Sequence, residues 1–136
     1  MLTPGPDHPI TLDPCRSRVR ASFGHHVIAD TDDALILREA SYPPVYYFPK
    51  DHIEMGFFGR TDHSTQCPYK GDATYWTLTM DGDVAENAAW SYEDPFPAVA
   101  PIKGRLAFYP TKVEIYEPDD AGLDDPDAVR REAPAG

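Results

Sequence analysis

The sequence lacks any apolar run that approaches the roughly 20 residues of a membrane-spanning helix. It has only two cysteines, Cys15 and Cys67, and neither lies in a C-x-x-C spacing. Residues 1–14 show neither a basic lead nor an apolar core, so we expect no secretory signal there. These absences predict a cytoplasmic protein that has no membrane segment and keeps both thiols reduced.

Positive charge is also scarce. The 136 residues include 12 Lys and Arg against 23 Asp and Glu, which gives a net charge of −11. An acidic chain is repelled by the phosphate backbone of nucleic acids and by anionic lipid surfaces. The composition therefore argues against nucleic acid and membrane partners and favours a soluble protein.

No long helix is expected, because prolines interrupt the middle of the chain at short intervals. Between them lie short stretches with strand character, of which Thr74–Met80, β-branched and aromatic, is the clearest. Arg105–Tyr109 and Val113–Tyr116 are expected to end the fold as a hairpin. The pattern predicts a mostly β protein of compact antiparallel sheets, a small sandwich or rolled sheet, with one or two short helical turns.

Turn-forming residues divide the chain into three parts. Residues 1–14 are rich in proline without periodicity and predict a flexible lead. Residues 15–117 predict a single β-rich domain, and residues 118–136 an acidic, disordered tail. Within the domain, residues 59–72 predict a long polar loop, and loops of this length are often functional.

Two stretches carry a specific family signature: T-x-C-P-Y-K-G at residues 65–71 and A-W-S-Y-E-D-P at residues 89–95. P-V-Y-Y-F-P precedes them and A-F-Y follows them. In this order and spacing, residues 16–117 resemble the bacterial uncharacterised-domain family DUF 427. The resemblance implies a β-tent-like fold, in which two antiparallel sheets meet at an angle.

That family is also filed under a nucleotidyltransferase label, which the residues do not support. There is no glycine-rich phosphate loop and no G-S motif followed by a carboxylate pair for Mg²⁺. Asp81 and Asp83 have the carboxylate spacing, but Asp81-Gly82 is typical of a hairpin turn. Tent-like folds also occur in zinc-binding domains, whose paired C-x-x-C motifs are missing here. His63 and Cys67 supply only two ligands, so we predict no metal site and no cofactor. The weaker alternative is a metal site that His52, or His25 and His26, complete in space.

The Thr65–Gly71 segment is the strongest candidate for a functional site. Cys67 and Lys70 lie three residues apart in a turn, and an ammonium near a thiol favours the nucleophilic thiolate. Lys70 can instead hold an anionic ligand as a point charge, and His63 is a candidate base. A small buried cysteine and a solvated turn lysine are the plainer alternatives.

Other candidate ligand contacts lie outside this segment. Arg18 and Arg20 share one face of a predicted strand and either clamp an anion or pair in solvent with a carboxylate such as Glu39. Asp51 either caps a short helix or joins the site.

Aromatic residues on the predicted strands form a third group. Tyr46 and Tyr47 must point to opposite faces of their strand, whereas Trp90 and Tyr92 share a face. Rings of this kind, with Trp76, either line a small-molecule cleft or pack in the core.

Together these features predict a pocket for a small anionic ligand near Thr65–Gly71, and they leave open whether the protein is an enzyme. The alternative is a non-catalytic β module for protein interaction or assembly, with an exposed aromatic patch and inert thiols. The sequence also leaves open a homo-oligomer.

Overall fold

The computed structural model describes residues 1–118, which form strands and three short 3-10 segments. The strands are β1 (Ile10–Pro14), β2 (Val19–Phe23), β3 (His26–Thr31), β4 (Leu35–Glu39), β5 (Val45–Tyr47), β6 (Phe58–Cys67), β7 (Gly71–Met80), β8 (Asp83–Tyr92), β9 (Leu106–Phe108) and β10 (Glu114–Tyr116). The 3-10 segments are Lys50–His52, Met55–Phe57 and Pro97–Ile102. The strands pair antiparallel in three sheets, β1-β4-β5, β10-β2-β3 and β6-β7-β8-β9. The mostly β prediction is confirmed.

Two tight turns fix the registers of two hairpins. Asp81 and Gly82, with φ of 53° and 85°, join β7 to β8. Gly24 and His25, with φ of 56° and 70°, join β2 to β3. Positive φ at both central residues is the type I′ geometry, whose twist matches that of the flanking strands. Asp81-Gly82 therefore forms the hairpin turn that the sequence predicts, and Gly24-His25 forms a turn of the same type.

The β6–β9 sheet supplies side chains to two buried clusters. The first core includes Val19, Ala21, Ile28, Phe48, Leu78, Leu106 and Phe108. The second core consists of Leu37, Tyr47, Ala73, Tyr75, Tyr92, Val99, Ile102 and Ala107. On β9, Leu106 and Phe108 belong to the first core and Ala107 to the second, because successive side chains of a strand point to opposite faces. The candidate site lies at the edge of the second core.

The predicted loop at residues 59–72 is wrong, because most of it is strand β6 and the start of β7. β6 lies at one edge of its sheet, and most of its side chains are exposed. An edge strand that faces water needs no alternation of apolar and polar residues. The polar sequence of β6 therefore carries no pattern that indicates a strand. A register irregularity between Arg60 and Ser64 further obscures its pattern.

The predicted hairpin of the last two strands is also wrong. β9 pairs with β8, whereas β10 pairs with β2 in a different sheet. At the other end, residues 10–14 of the predicted flexible lead form β1 against β4, because Ile10 and Leu12 pack on the second core. Asp51 caps no helix, since its 3-10 segment has no side-chain cap.

The predicted tail at residues 118–136 lies, apart from Pro118, outside the described residues. Among residues 1–118, no helix is long and apolar enough to cross a membrane.

Candidate functional site

Three aromatic rings form a surface that we call the aromatic face: Tyr75, Trp90 and Tyr109. Tyr75 and Trp90 are direct partners in the pairing of β7 with β8, so their side chains lie side by side on one face of the sheet. Tyr109 follows β9, and its ring centroid lies 4.5 Å from that of Trp90. It stacks at 13° to Tyr75, with 6.4 Å between centroids. Tyr75 is buried, whereas Trp90 and Tyr109 are half-buried, so the face is partly open to solvent.

Hydrogen bonds hold these rings in place. The Tyr109 hydroxyl donates to the Tyr75 hydroxyl at 3.2 Å, and the Tyr75 hydroxyl is also bonded to Thr65 Oγ1 at 3.0 Å. The His63 ring lies edge-on to Tyr75 with 4.4 Å between centroids. Thr65 and His63 are exposed on β6 and form a polar rim beside the rings.

Two further tyrosines, the phenol pair Tyr47 and Tyr92, lie in the second core beside the aromatic face. They are 1% and 5% exposed. Trp90 Nε1 donates to the Tyr47 hydroxyl at 3.3 Å, whereas the Tyr92 hydroxyl makes no hydrogen bond to any residue from 1 to 118. Cys67 is half-buried and packs against the same core. Burial raises the pKa of both phenols far above the ordinary value of 10.0, so both stay protonated.

Lys70 is buried, and its ammonium donates to Glu39. The other Glu39 oxygen is bonded to His8 Nε2 at 2.7 Å, and the His8 ring stacks on Tyr69 with centroids 3.9 Å apart. The side chains of Lys70 and Glu39 are only 11% and 12% exposed. Both predicted roles of Lys70, activating Cys67 and holding an anion, assume a free cation. This geometry commits the cation to a carboxylate instead.

The remaining predicted contacts lie elsewhere. Arg18 Nη1 and Arg20 Nε lie 2.8 and 3.3 Å from the Asp30 carboxylate, which takes the place of the Glu39 partner expected from the sequence. Asp30 and Asp51 line an open groove of about 320 Å³ beside β3, together with Glu54. The structure therefore gathers Cys67, Lys70, Tyr47, Trp90 and Tyr92 in or beside the second core. It does not bring Arg18, Arg20 or Asp51 to them.

Trp76 lies on the opposite face of the same sheet. Its ring has Lys50 Nζ at 5.2 Å and Arg60 Cζ at 5.4 Å from the centroid, and its Nε1 donates to Ser91 Oγ at 3.0 Å. It packs against the first core, so it takes no part in the aromatic face.

The described residues do not provide the cluster of carboxylates that would hold Mg²⁺ for nucleotidyl transfer. Asp81 lies in the β7–β8 turn with its carboxylate 3.0 Å from His26 Nε2, which agrees with a turn role for Asp81-Gly82. Among residues 1–118, no group of three or more His, Cys, Asp or Glu side chains is placed to hold a metal ion.

The two thiols differ in accessibility. Cys15 is 6% exposed and donates to the Ser17 carbonyl at 3.3 Å, whereas Cys67 is half-buried at the end of β6. We therefore expect iodoacetamide to modify Cys67 in the folded protein and Cys15 only after unfolding in urea. Mass spectrometry of the alkylated peptides checks this. Equal protection of both thiols in the folded state contradicts an open site beside Cys67.

Sequence reasoning missed Tyr75, Tyr109 and the true role of Glu39. The first two stand in strand-like stretches, A-T-Y and A-F-Y, in which no local pattern indicates that they face Trp90. The expected pairing of Glu39 with Arg18 or Arg20 does not form, because β2 and β4 lie in different sheets.

The fold and the site define a small antiparallel β protein with a tyrosine-rich aromatic surface at the edge of a buried core. The chain belongs to the family described as "Domain of unknown function (DUF427)", whose model matches residues 11–119. The resemblance found in the sequence is thus confirmed. No match was found among curated proteins. The family description names no activity.

Proposed function

We propose that the protein binds a small organic molecule on the aromatic face, next to the Thr65–Gly71 segment. The observation that carries the proposal is that Trp90 and Tyr109, two large rings in contact, stay half-buried above the buried Tyr75. A ring fixed by packing and hydrogen bonds loses little entropy when a planar ligand stacks on it.

The surroundings of the aromatic face fit the general pattern of ligand sites, which combine apolar walls with a few fixed polar groups. The rings supply the wall. The hydroxyls of Tyr47 and Tyr92 and the thiol of Cys67 supply polar groups at its buried edge. The ligand is held by stacking and hydrogen bonds, because the cation of the Thr65–Gly71 segment, Lys70, is paired with Glu39.

The two tryptophans of the chain provide a direct test, since only Trp90 belongs to the aromatic face. We expect acetophenone or benzoate, added at millimolar concentration, to shift the indole N–H resonance of Trp90 in a ¹H–¹⁵N spectrum. The resonance of Trp76 should stay in place, because its ring lies on the opposite face. The variants Trp90→Phe and Trp76→Phe assign the two signals.

Two outcomes count against the proposal. If neither resonance moves with any probe, the aromatic face is plain core, and the alternative of a non-catalytic interaction module gains. If both move equally, the probes bind without selectivity for this site.

A further inference from the structure

We propose, as a deepening of the proposed function, that the site selects planar molecules that present a hydrogen-bond acceptor, a carbonyl or carboxylate oxygen, to the hydroxyls of Tyr47 and Tyr92. The inference rests on which polar atoms of the site already make hydrogen bonds within the protein and which hydroxyl protons have no acceptor there.

Tyr92 gives the first unused donor. Its side chain is more than nine-tenths buried, yet its hydroxyl bonds to no residue from 1 to 118. Among residues 1–118 that oxygen is not one of the fully buried side-chain atoms without a partner, so it reaches the surface, where a ligand can take the place of water as the acceptor of its proton.

Tyr47 gives the second unused donor. Its hydroxyl oxygen accepts the indole proton of Trp90 at 3.3 Å. A phenol carries one proton of its own, and the described residues offer that proton no acceptor. Since Tyr47 is 1% exposed, this donor lies away from bulk water.

Both groups act as donors at every physiological pH. Burial raises the pKa of Tyr47 and of Tyr92, and the proximity of Cys67 and Tyr75 raises it further. The phenols therefore keep their protons. Ionisation, which would remove the protons that they donate, is strongly disfavoured.

The neighbouring acceptors are already occupied. The two Glu39 oxygens accept from Lys70 and His8, and Thr65 Oγ1 is bonded to the Tyr75 hydroxyl. The Tyr47 oxygen already accepts from Trp90, so what this hydroxyl still offers a ligand is its proton. A ligand N–H therefore finds the Tyr47 oxygen engaged, whereas a carbonyl or carboxylate oxygen accepts from both phenols. The planar part of such a ligand lies against Trp90 and Tyr109.

The test compares four probes of similar shape, by titration of the Trp90 indole resonance. Acetophenone and benzoate carry an acceptor, toluene has no polar group, and benzylammonium has only donors. We expect the acceptor probes to bind at least tenfold more tightly than the other two. In Tyr92→Phe, most of this preference should be lost. Its thermal unfolding midpoint should stay at or above that of the wild type, because the removed hydroxyl has no protein partner.

Tyr46→Phe is the matched control. Tyr46 precedes Tyr47 on β5, but its hydroxyl points to the other face and donates to Glu117 at 2.8 Å, so this variant should keep the full preference. Tyr47→Phe provides a second variant of the phenol pair and should also weaken the preference. A comparison of the affinities for benzoate and acetophenone shows whether a negative charge on the acceptor strengthens binding.

The outcomes distinguish a failure of this inference from a failure of the proposed function on which it rests. Equal binding of all four probes, or an unchanged preference in both Tyr92→Phe and Tyr47→Phe, overturns the inference alone. No response of Trp90 to any probe overturns the proposed function and the inference with it.

Discussion

Replacing Lys70 by methionine is expected to lower the free energy of unfolding by about 3 kcal/mol, because it leaves a buried carboxylate without its main partner. Methionine keeps most of the volume of the lysine chain, so the loss reports the charge and not a cavity. The Glu39 side chain is only 12% exposed, and without Lys70 the remaining partner of its carboxylate is His8. Urea denaturation at neutral pH, followed by far-UV circular dichroism, measures the change.

Two further variants separate the ion pair from simple packing. In Lys70→Met with Glu39→Leu, neither charge remains, and we expect much of the lost stability to return. Arg18→Met removes an exposed partner of Asp30 and should cost less than about 1 kcal/mol. A loss in Lys70→Met no larger than in Arg18→Met would show that the Glu39–Lys70 pair adds little.

The same pair implies a pH dependence. Burial by itself raises the pKa of Glu39, but hydrogen bonds from Lys70 and His8 outweigh it, so the pKa lies below the ordinary value of 4.5. A carboxyl group whose pKa is lower in the folded state contributes its full stability above the unfolded pKa. It loses that contribution as the pH falls through the folded pKa. The difference in unfolding free energy between the wild type and Glu39→Gln should therefore be full near neutral pH and shrink below about pH 4.

Gly71→Ala is expected to cost about 2 to 3 kcal/mol in the free energy of unfolding, because it strains the residue that starts β7. Gly71 has φ of +117°, a conformation that other residues rarely adopt. A Cβ there would lie 3.4 Å from the Asp94 carbonyl oxygen and 3.7 Å from Phe96 N, which are ordinary van der Waals contacts, so the cost comes from the backbone conformation. The adjacent Lys70 carbonyl accepts from Phe96 N at 2.9 Å, so this segment has little room to shift.

Gly104→Ala is the matched control for this substitution. Gly104 also has a positive φ, +73°, but a Cβ there meets nothing within 4 Å. A φ of +73° lies close to the left-handed helical region that other residues can adopt, so we expect a smaller cost of about 1 kcal/mol. If thermal and urea unfolding give the same loss for both variants, the more extreme φ of Gly71 adds no strain.

Local signals explain why parts of the fold could be predicted. Thr74–Met80 has the β-branched and aromatic alternation of a strand, and Asp81-Gly82 is the preferred pair for a two-residue hairpin turn. Both predictions need only neighbours in the chain. The pairing of β10 with β2 depends on contacts between distant segments, for which one sequence carries no local pattern.

In the candidate site, too, only the features that depend on local sequence could be predicted. Alternation along β8 placed Trp90 and Tyr92 on one face, and both lie at the second core. Charge partners were not predictable: Lys70 pairs with Glu39, 31 residues away, and Arg20 pairs with Asp30 across the β2–β3 hairpin. Which cation meets which carboxylate depends on how the sheets lie against each other, so the free cations expected at the site were already paired.

The partnership of β2 with β10 has a consequence for the order of folding during synthesis. Ser22 on β2 is hydrogen-bonded to Tyr116 on β10, 94 positions later in the chain. On the ribosome, the β2–β3 hairpin emerges early with one edge open, and that edge closes only when Glu114–Tyr116 has left the exit tunnel. Such a long-range pairing forms late and slowly. Nascent chains that stop short of Glu114 should therefore remain sensitive to protease at β2, and full-length release should confer resistance.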